Sequence, residues 1–250
     1  MHVVVDGLLT NYQVTGRGKT VLMLHGWGDS LQGLSQLQLK LSAEHQALSL
    51  DLPGFGGTES PKEVWGLDDY ANFVKDFTKK INITNLFAVV AHSNGGAIAI
   101  RAVAEDYLQA DRLVLLSSAG IRGQYKGRLK AIRYVTKTGK LLTRPLPKST
   151  RDKLKKIVYK TVGSEALVAE NLQETFKKVV SDDIRSDAKK ITQPTLLIYG
   201  ENDKATPIEY GRILHELMSD STLEIIGGAG HFIHLDKPQE VFKLITDFLQ

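Results

Sequence analysis

Cysteine is absent from this sequence. That absence excludes disulfides, thiol nucleophiles and thiolate metal sites, and it suits a reducing compartment. Long apolar runs are also missing: nothing approaches the ~20 consecutive apolar residues that span a bilayer. The first residues, MHVVVDGLLTNYQV, have neither a basic leader nor an extended apolar core, so they do not read as a signal peptide. Together these absences give the expectation of a soluble, cytoplasmic protein. Acidic residues are scarce in one place. Residues 122–160 carry fourteen Lys or Arg and a single acid, Asp152, which makes that segment +13 and leaves −9 for the rest of a chain whose net charge is +4.

What is present is ordinary for a globular protein, with 42% apolar and 24% charged residues. The 250 residues suffice for one α/β domain with an insertion and a sizeable core. The chain opens as a hairpin, with strands at 2–5 and 8–14 around an Asp6-Gly7 turn. Strand and helix patterns then alternate. Strands are expected at Val21–Leu24, Ala47–Leu50, Leu86–Ala91, Leu113–Leu116, Thr195–Tyr199 and Thr222–Ile226. Helices are expected at Leu31–Ala43, with Ser30 as its cap, and at Asp68–Ile81, with Asp68 as its cap. Further helices are expected at Asn94–Glu105, Ile208–Met218 and Pro238–Leu249. Such alternation predicts a mostly parallel sheet with helices on both faces. Residues 121–190 interrupt it with helical periodicity, and they read as a helical lid inserted into a core formed by 1–120 and 191–250.

The most informative local pattern is Val89-Val90-Ala91-His92-Ser93-Asn94-Gly95-Gly96-Ala97. An apolar strand runs into Ser93 and a helix starts directly after it. Small residues stand two before (Ala91) and two and three after (Gly95, Gly96), where larger ones would collide across a sharp turn. This is the context of a nucleophile elbow, in which the turn lifts Oγ above the sheet beside a helix N-terminus. The usual G-x-S-x-G pattern has Ala91 in its first place. The competing reading is a serine that caps a helix. A second serine, in Gly28-Asp29-Ser30-Leu31, matches the block of another serine-esterase family. That family needs an Asp-x-x-His pair, and no histidine here has an aspartate three residues before it.

A serine needs a base to take its proton and an acid to orient that base. Among seven histidines, His231 and His234 lie in the glycine-rich stretch Gly227-Gly228-Ala229-Gly230-His231-Phe232-Ile233-His234 after the last strand. His231, directly after that strand, is the candidate base, and His234 reads as a loop-stabilising residue. The His-x-x-His spacing has no further ligand cluster to suggest a metal site. The acid belongs on a strand-end loop between serine and histidine. Gly200-Glu201-Asn202-Asp203 offers Asp203, with Glu201 the alternative, while Ser117-Ser118-Ala119-Gly120 at the preceding strand end holds no carboxylate. The backbone N–H groups of Trp27, in the loop after Val21–Leu24, and of Asn94, after the serine, are the candidate oxyanion-hole donors. Donors of this kind contribute roughly 2.7–4 kcal/mol each. His25 is assigned no proton transfer.

His25-Gly26-Trp27-Gly28, Asp51-Leu52-Pro53-Gly54-Phe55-Gly56, Ala91-His92-Ser93-Asn94-Gly95-Gly96, Gly200-Glu201-Asn202-Asp203 and Gly230-His231 follow one another in the order seen in the α/β-hydrolase family. The chain resembles its carboxylesterase, pimeloyl-ester hydrolase and meta-cleavage-product hydrolase branch over almost its whole length. The resemblance implies an eight-stranded, mostly parallel sheet with a helical lid. It also implies acyl transfer to water: Ser93 attacks an ester or thioester, His231 relays the proton, Asp203 orients His231, and no cofactor or metal is required. The same site in relatives supports C–C bond hydrolysis or cyanohydrin cleavage, and some relatives are non-enzymatic small-molecule receptors. The basic segment has two readings. One is a pair of solvated amphipathic helices with apolar stripes Leu129-Ile132-Val135 and Leu154-Ile157-Val158. The other is a surface that draws an anionic substrate, carrier or lipid surface to the site mouth. No recognised nucleic-acid module accompanies the charge, and nothing in the chain indicates an oligomeric state.

Overall fold

A computed structural model describes residues 1–83, 85–122 and 172–250. Its centre is an eight-stranded sheet in the order β1-β2-β4-β3-β5-β6-β7-β8. The strands are β1 (His2–Val5), β2 (Leu8–Thr15), β3 (Thr20–Leu24), β4 (Gln46–Leu50), β5 (Asn85–His92), β6 (Gln109–Leu116), β7 (Thr195–Gly200) and β8 (Ser221–Ile226). β1 and β2 form the antiparallel hairpin, and β2 runs antiparallel to β4. Every other pairing is parallel. Asp6 and Gly7 both have positive φ, 49° and 78°, as a tight hairpin turn requires.

Eight helices belong to the described residues: α1 (Ser35–Leu41), α2 (Leu67–Lys80), α3 (Asn94–Ala104), α4 (Gln173–Val179), α5 (Arg185–Ala188), α6 (Ile208–Leu217), α7 (Ile233–Asp236) and α8 (Pro238–Leu249). The two faces of the sheet are covered separately. Along β3, Leu22 and Leu24 join a core shared with Tyr70, Phe73, Val74 and Phe77 of α2 and with Ile98 and Ala102 of α3. Val21 and Met23 point the opposite way, into a core with Leu34, Leu37 and Leu41 beside Val241, Ile245 and Leu249 of α8. This period-two split is why the central strands read as continuous apolar runs. Each fully buried leucine contributes roughly 1.5–3 kcal/mol to the fold.

Two helix starts differ from the sequence expectation. α1 begins at Ser35, not Leu31, and Leu34 occupies its N-cap position. The Leu31 amide donates to Asp51 Oδ1 (2.7 Å), and Gly33 N donates to the Ser30 carbonyl (3.0 Å), so residues 29–34 turn before the helix can start. Ser30 therefore does not cap α1. α2 begins at Leu67, and Asp69, not Asp68, serves its first turn by accepting the Gly66 amide (2.6 Å).

β6 and β7 are adjacent parallel strands, so residues 117–194 form the connection between them. Its described C-terminal part holds α4 and α5. Asp187 of α5 is nearly buried and accepts from Arg101 Nε of α3 at 2.8 Å, tying this stretch to the body of the protein. The basic run from Lys126 to Lys160 and the two apolar stripes lie outside the described residues. Among the described residues no helix is long and apolar enough to cross a membrane.

Candidate active site

Ser93 occupies the single-residue junction between β5 and α3, with φ 51° and ψ −117°. A side chain in this region costs roughly 1–3 kcal/mol unless its surroundings hold it there. They do so through backbone hydrogen bonds, three of them at 3.0 Å or less. Ser93 N donates to the Leu116 carbonyl (2.9 Å), while the Ser93 carbonyl accepts from Gly96 N and Ala119 N (both 3.0 Å). The neighbouring glycines are required by space. A Cβ on Gly95 would lie 2.6 Å from the carbonyl oxygens of Leu24 and His25, and one on Gly96 would lie 2.8 Å from Ser118 Cβ. Ala91, which replaces the usual glycine, is buried in β5 between its partners Leu24 and Leu115.

The β7–α6 and β8–α7 loops bring Asp203 and His231 to the same end of the sheet. His231 Nε2 is 3.0 Å from Ser93 Oγ, and His231 Nδ1 is 2.8 Å from Asp203 Oδ2. A carboxylate only accepts, so Nδ1 carries the proton and Nε2 presents its lone pair to the serine hydroxyl. Asp203 Oδ1 accepts the amides of Ala205 (2.8 Å) and Thr206 (2.9 Å). Burial alone would raise the Asp203 pKa. The hydrogen bond and charge of His231, with the Thr206 donors, outweigh it and hold the carboxyl below its ordinary value. Glu201, the other candidate acid, accepts the Gly228 amide at 2.9 Å and braces the loop that carries His231.

Trp27 lies in the turn after β3, and Asn94 is the first residue of α3. Both stand at the C-terminal ends of adjacent strands, beside Ser93. Among the described residues neither backbone amide is taken up by a carbonyl, as the first turn of a helix leaves Asn94 unpaired by construction. The Trp27 indole is buried and packs edge-on to Phe55 (4.9 Å) and tilted against Phe176 of α4 (5.2 Å).

Two other motifs prove to be braces. His25 Nε2 accepts the Leu52 amide (2.9 Å), so its Nδ1–H faces the Gly26 carbonyl (2.7 Å), locking the loop that carries Trp27. Buried Asp51 accepts from Leu31 N (2.7 Å), Gly57 N (2.7 Å) and Asn11 Nδ2 (2.8 Å), stitching the β3–α1 and β4–α2 loops to β2. A Cβ on Gly56 would strike its carboxylate, which explains the glycine there.

Sequence reasoning missed Thr206 and His92. Thr206 Oγ1 lies 2.8 Å from Asp203 Oδ2, 3.1 Å from His231 Nδ1 and 2.9 Å from the Ser117 carbonyl. The Asp203-x-x-Thr206 spacing, a familiar side-chain-to-backbone turn, was the available signal. His92, next to Ser93 in sequence, places its ring 4.8 Å from that of His231.

The sequence profile described as "Alpha/beta hydrolase family" matches residues 21–244. The chain is 26% identical over 257 residues to the 2-hydroxy-6-oxo-6-(2'-aminophenyl)hexa-2,4-dienoic acid hydrolase of Metapseudomonas resinovorans, covering 97% of this chain and 88% of that protein. It is 24% identical over 262 residues to a monoacylglycerol lipase of Xenopus laevis, covering 94% and 78% respectively. An esterase from Exiguobacterium antarcticum shares the fold, with a TM-score of 0.77 at 19% identity over 99% of this chain and 98% of that one.

Proposed function

Because this chain belongs to the alpha/beta hydrolase family, we propose that it is a serine hydrolase that cleaves a carboxylic ester or thioester through an acyl-enzyme. The observation that carries the reading is the position of His231, 3.0 Å from Ser93 Oγ on one side and 2.8 Å from Asp203 on the other. Ser93 Oγ attacks the carbonyl carbon while its proton passes to His231 Nε2. Asp203 stabilises the resulting imidazolium without taking the proton. The Trp27 and Asn94 amides receive the developing oxyanion, and the positive end of α3 adds to the field there. His231 then protonates the departing alcohol or thiol, and a water activated by the same nitrogen releases the acid. The scheme draws on no cofactor.

Residues 121–190 act in this reading as a lid over a core of 1–120 and 191–250. Phe176 packed on Trp27 supports that placement. The charge of 122–160 favours an anionic substrate, which kcat/KM for neutral and carboxylated esters at rising ionic strength tests. Loss of a preference for the carboxylated ester as salt rises supports the idea, and salt-independent rates count against it.

A second reading, C–C bond hydrolysis, is favoured by the relative named for a 2-hydroxy-6-oxo-hexadienoic acid, which matches nearly the whole chain. A panel of p-nitrophenyl esters of increasing chain length, set beside a 2-hydroxy-6-oxo-dienoate, separates the two. Rapid ester turnover abolished by Ser93→Ala supports the ester reading. Rapid dienoate turnover with feeble ester turnover transfers the assignment to C–C cleavage.

A further inference from the structure

Three imidazoles meet behind Ser93. His92 is fully buried, 4.8 Å from the His231 ring and 4.9 Å from the His234 ring. Its Nε2 lies 3.0 Å from the backbone carbonyl of His231. A carbonyl only accepts, so Nε2 bears the proton and Nδ1 is the bare nitrogen. Among the described residues Nδ1 has no hydrogen-bond partner. It faces Gly26 so closely that a Cβ there would come within 3.0 Å of it. Protonating Nδ1 would bury a cation with no acceptor, so this ring stays neutral. Burial first, and then the neighbouring His231 and His234, push its pKa well below the ordinary value.

The loop that carries the base needs such a hold. It follows Gly227, Gly228, Ala229 and Gly230, and Gly228 adopts φ 71°. Glycines leave the backbone free to wander. Backbone groups of Gly230 and His231 are fastened to side chains: Gly230 N donates to Asp236 Oδ2 (2.8 Å), and the His231 carbonyl accepts from His92 (3.0 Å). The first tie runs from the loop to the end of α7, a few residues on in sequence. The second reaches across to the residue that precedes Ser93, and so it registers the base loop directly on the elbow.

We propose that His92 is a positioning residue that sets the distance between His231 Nε2 and Ser93 Oγ by holding the His231 carbonyl. This rests on the assignment of Ser93 and His231 made above. His92 acts only through His231 and touches no reacting atom. It is neutral, so it adds no charge against the imidazolium that forms 4.8 Å away.

The test compares His92→Ala with His92→Gln, whose amide nitrogen can stand where Nε2 stands. Two readouts are used: steady-state hydrolysis of p-nitrophenyl acetate, and amide hydrogen exchange of residues 227–236 followed by mass spectrometry. A base displaced by about 1 Å can lose up to about a hundredfold in rate. His92→Ala is therefore expected to lower kcat tenfold or more with KM changed less than twofold, and to speed exchange in 227–236. His92→Gln is expected to recover most of both. Equal kcat in His92→Ala and wild type, equal damage in both variants, or unchanged exchange in His92→Ala overturns the proposal. Exchange needs no turnover, so it decides the role of His92 even if wild type leaves the ester intact, an outcome that counts against the ester reading alone.

Discussion

The Thr206 hydroxyl stands 2.8 Å from Asp203 Oδ2 and 2.9 Å from the Ser117 carbonyl, bridging the loops that follow β7 and β6. Its single proton serves one acceptor at a time, and its lone pairs face the Nδ1–H of His231 at 3.1 Å. Thr206→Val keeps the shape and removes the hydroxyl. Whichever of the Ser117 carbonyl and Asp203 Oδ2 the proton serves then loses a buried donor, at roughly 1–3 kcal/mol. The expected result is a melting temperature several degrees lower and a several-fold lower kcat. Differential scanning fluorimetry and p-nitrophenyl ester kinetics check both, and wild-type values in each would show the bridge to be idle.

Asp203→Asn tests the orientation of the base. The asparagine fits the same space, but its amide can donate to Nδ1 and so favour the wrong tautomer of His231. A drop in kcat of about 10⁴ is expected, with the melting temperature nearly kept. Retention of more than a tenth of wild-type kcat would move the acid elsewhere.

Gly95→Ala tests the elbow. Its new methyl would sit 2.6 Å from two carbonyl oxygens of the β3 end, and backbone gives way less readily than a side chain. Destabilisation of about 1–3 kcal/mol and near-complete loss of ester turnover are expected. Ala91→Gly, at the other elbow position, restores the common pattern. It should change kcat by less than threefold while costing about 0.5–1 kcal/mol of stability, the usual penalty for glycine inside a strand. Urea unfolding and kinetics on both variants give the comparison.

Stability should fall with acid in two stages. His92 and His234 have pKa values lowered by burial, so both stay neutral in the folded protein while the unfolded chain takes up protons near pH 6.5. Their contribution is complete above about pH 6.5 and declines as pH falls below it, until each lowered folded pKa is reached. Asp203, depressed in the fold, keeps its contribution above about pH 3.9 and loses it as pH falls further, through its folded value. Urea unfolding at pH 7.5, 6.5 and 5.5 should show a declining midpoint, with a shallower decline in His92→Gln. A flat profile in wild type would mean that the buried imidazoles carry charge.

Much of this architecture was legible because its signals are local. The Asp6-Gly7 turn, the apolar strands, the small residues around Ser93 and Pro238 at the start of α8 each report on the few residues beside them. The start of α1 was not legible. Its displacement to Ser35 depends on Asp51, twenty residues on from Leu31, capturing the Leu31 amide. The use of Asp69 over Asp68 follows from the N-cap falling at Gly66, three residues before Asp69. The role of His92 was not legible either. Nothing nearby in sequence reveals that the direction it faces is occupied by the carbonyl of His231, 139 positions later. The meeting of Ser93, Asp203 and His231 was legible because each lies in the junction or loop that follows a recognisable strand, and parallel strands deliver all such positions to one edge of the sheet.

The central claim, that Ser93 is an activated nucleophile, is tested most directly by intact-mass and peptide analysis after brief treatment with a fluorophosphonate. The account predicts one adduct on wild type, located on Ser93, none on Ser93→Ala, and greatly slowed labelling of His231→Ala. An unlabelled wild type, or equal labelling of wild type and Ser93→Ala, would contradict it.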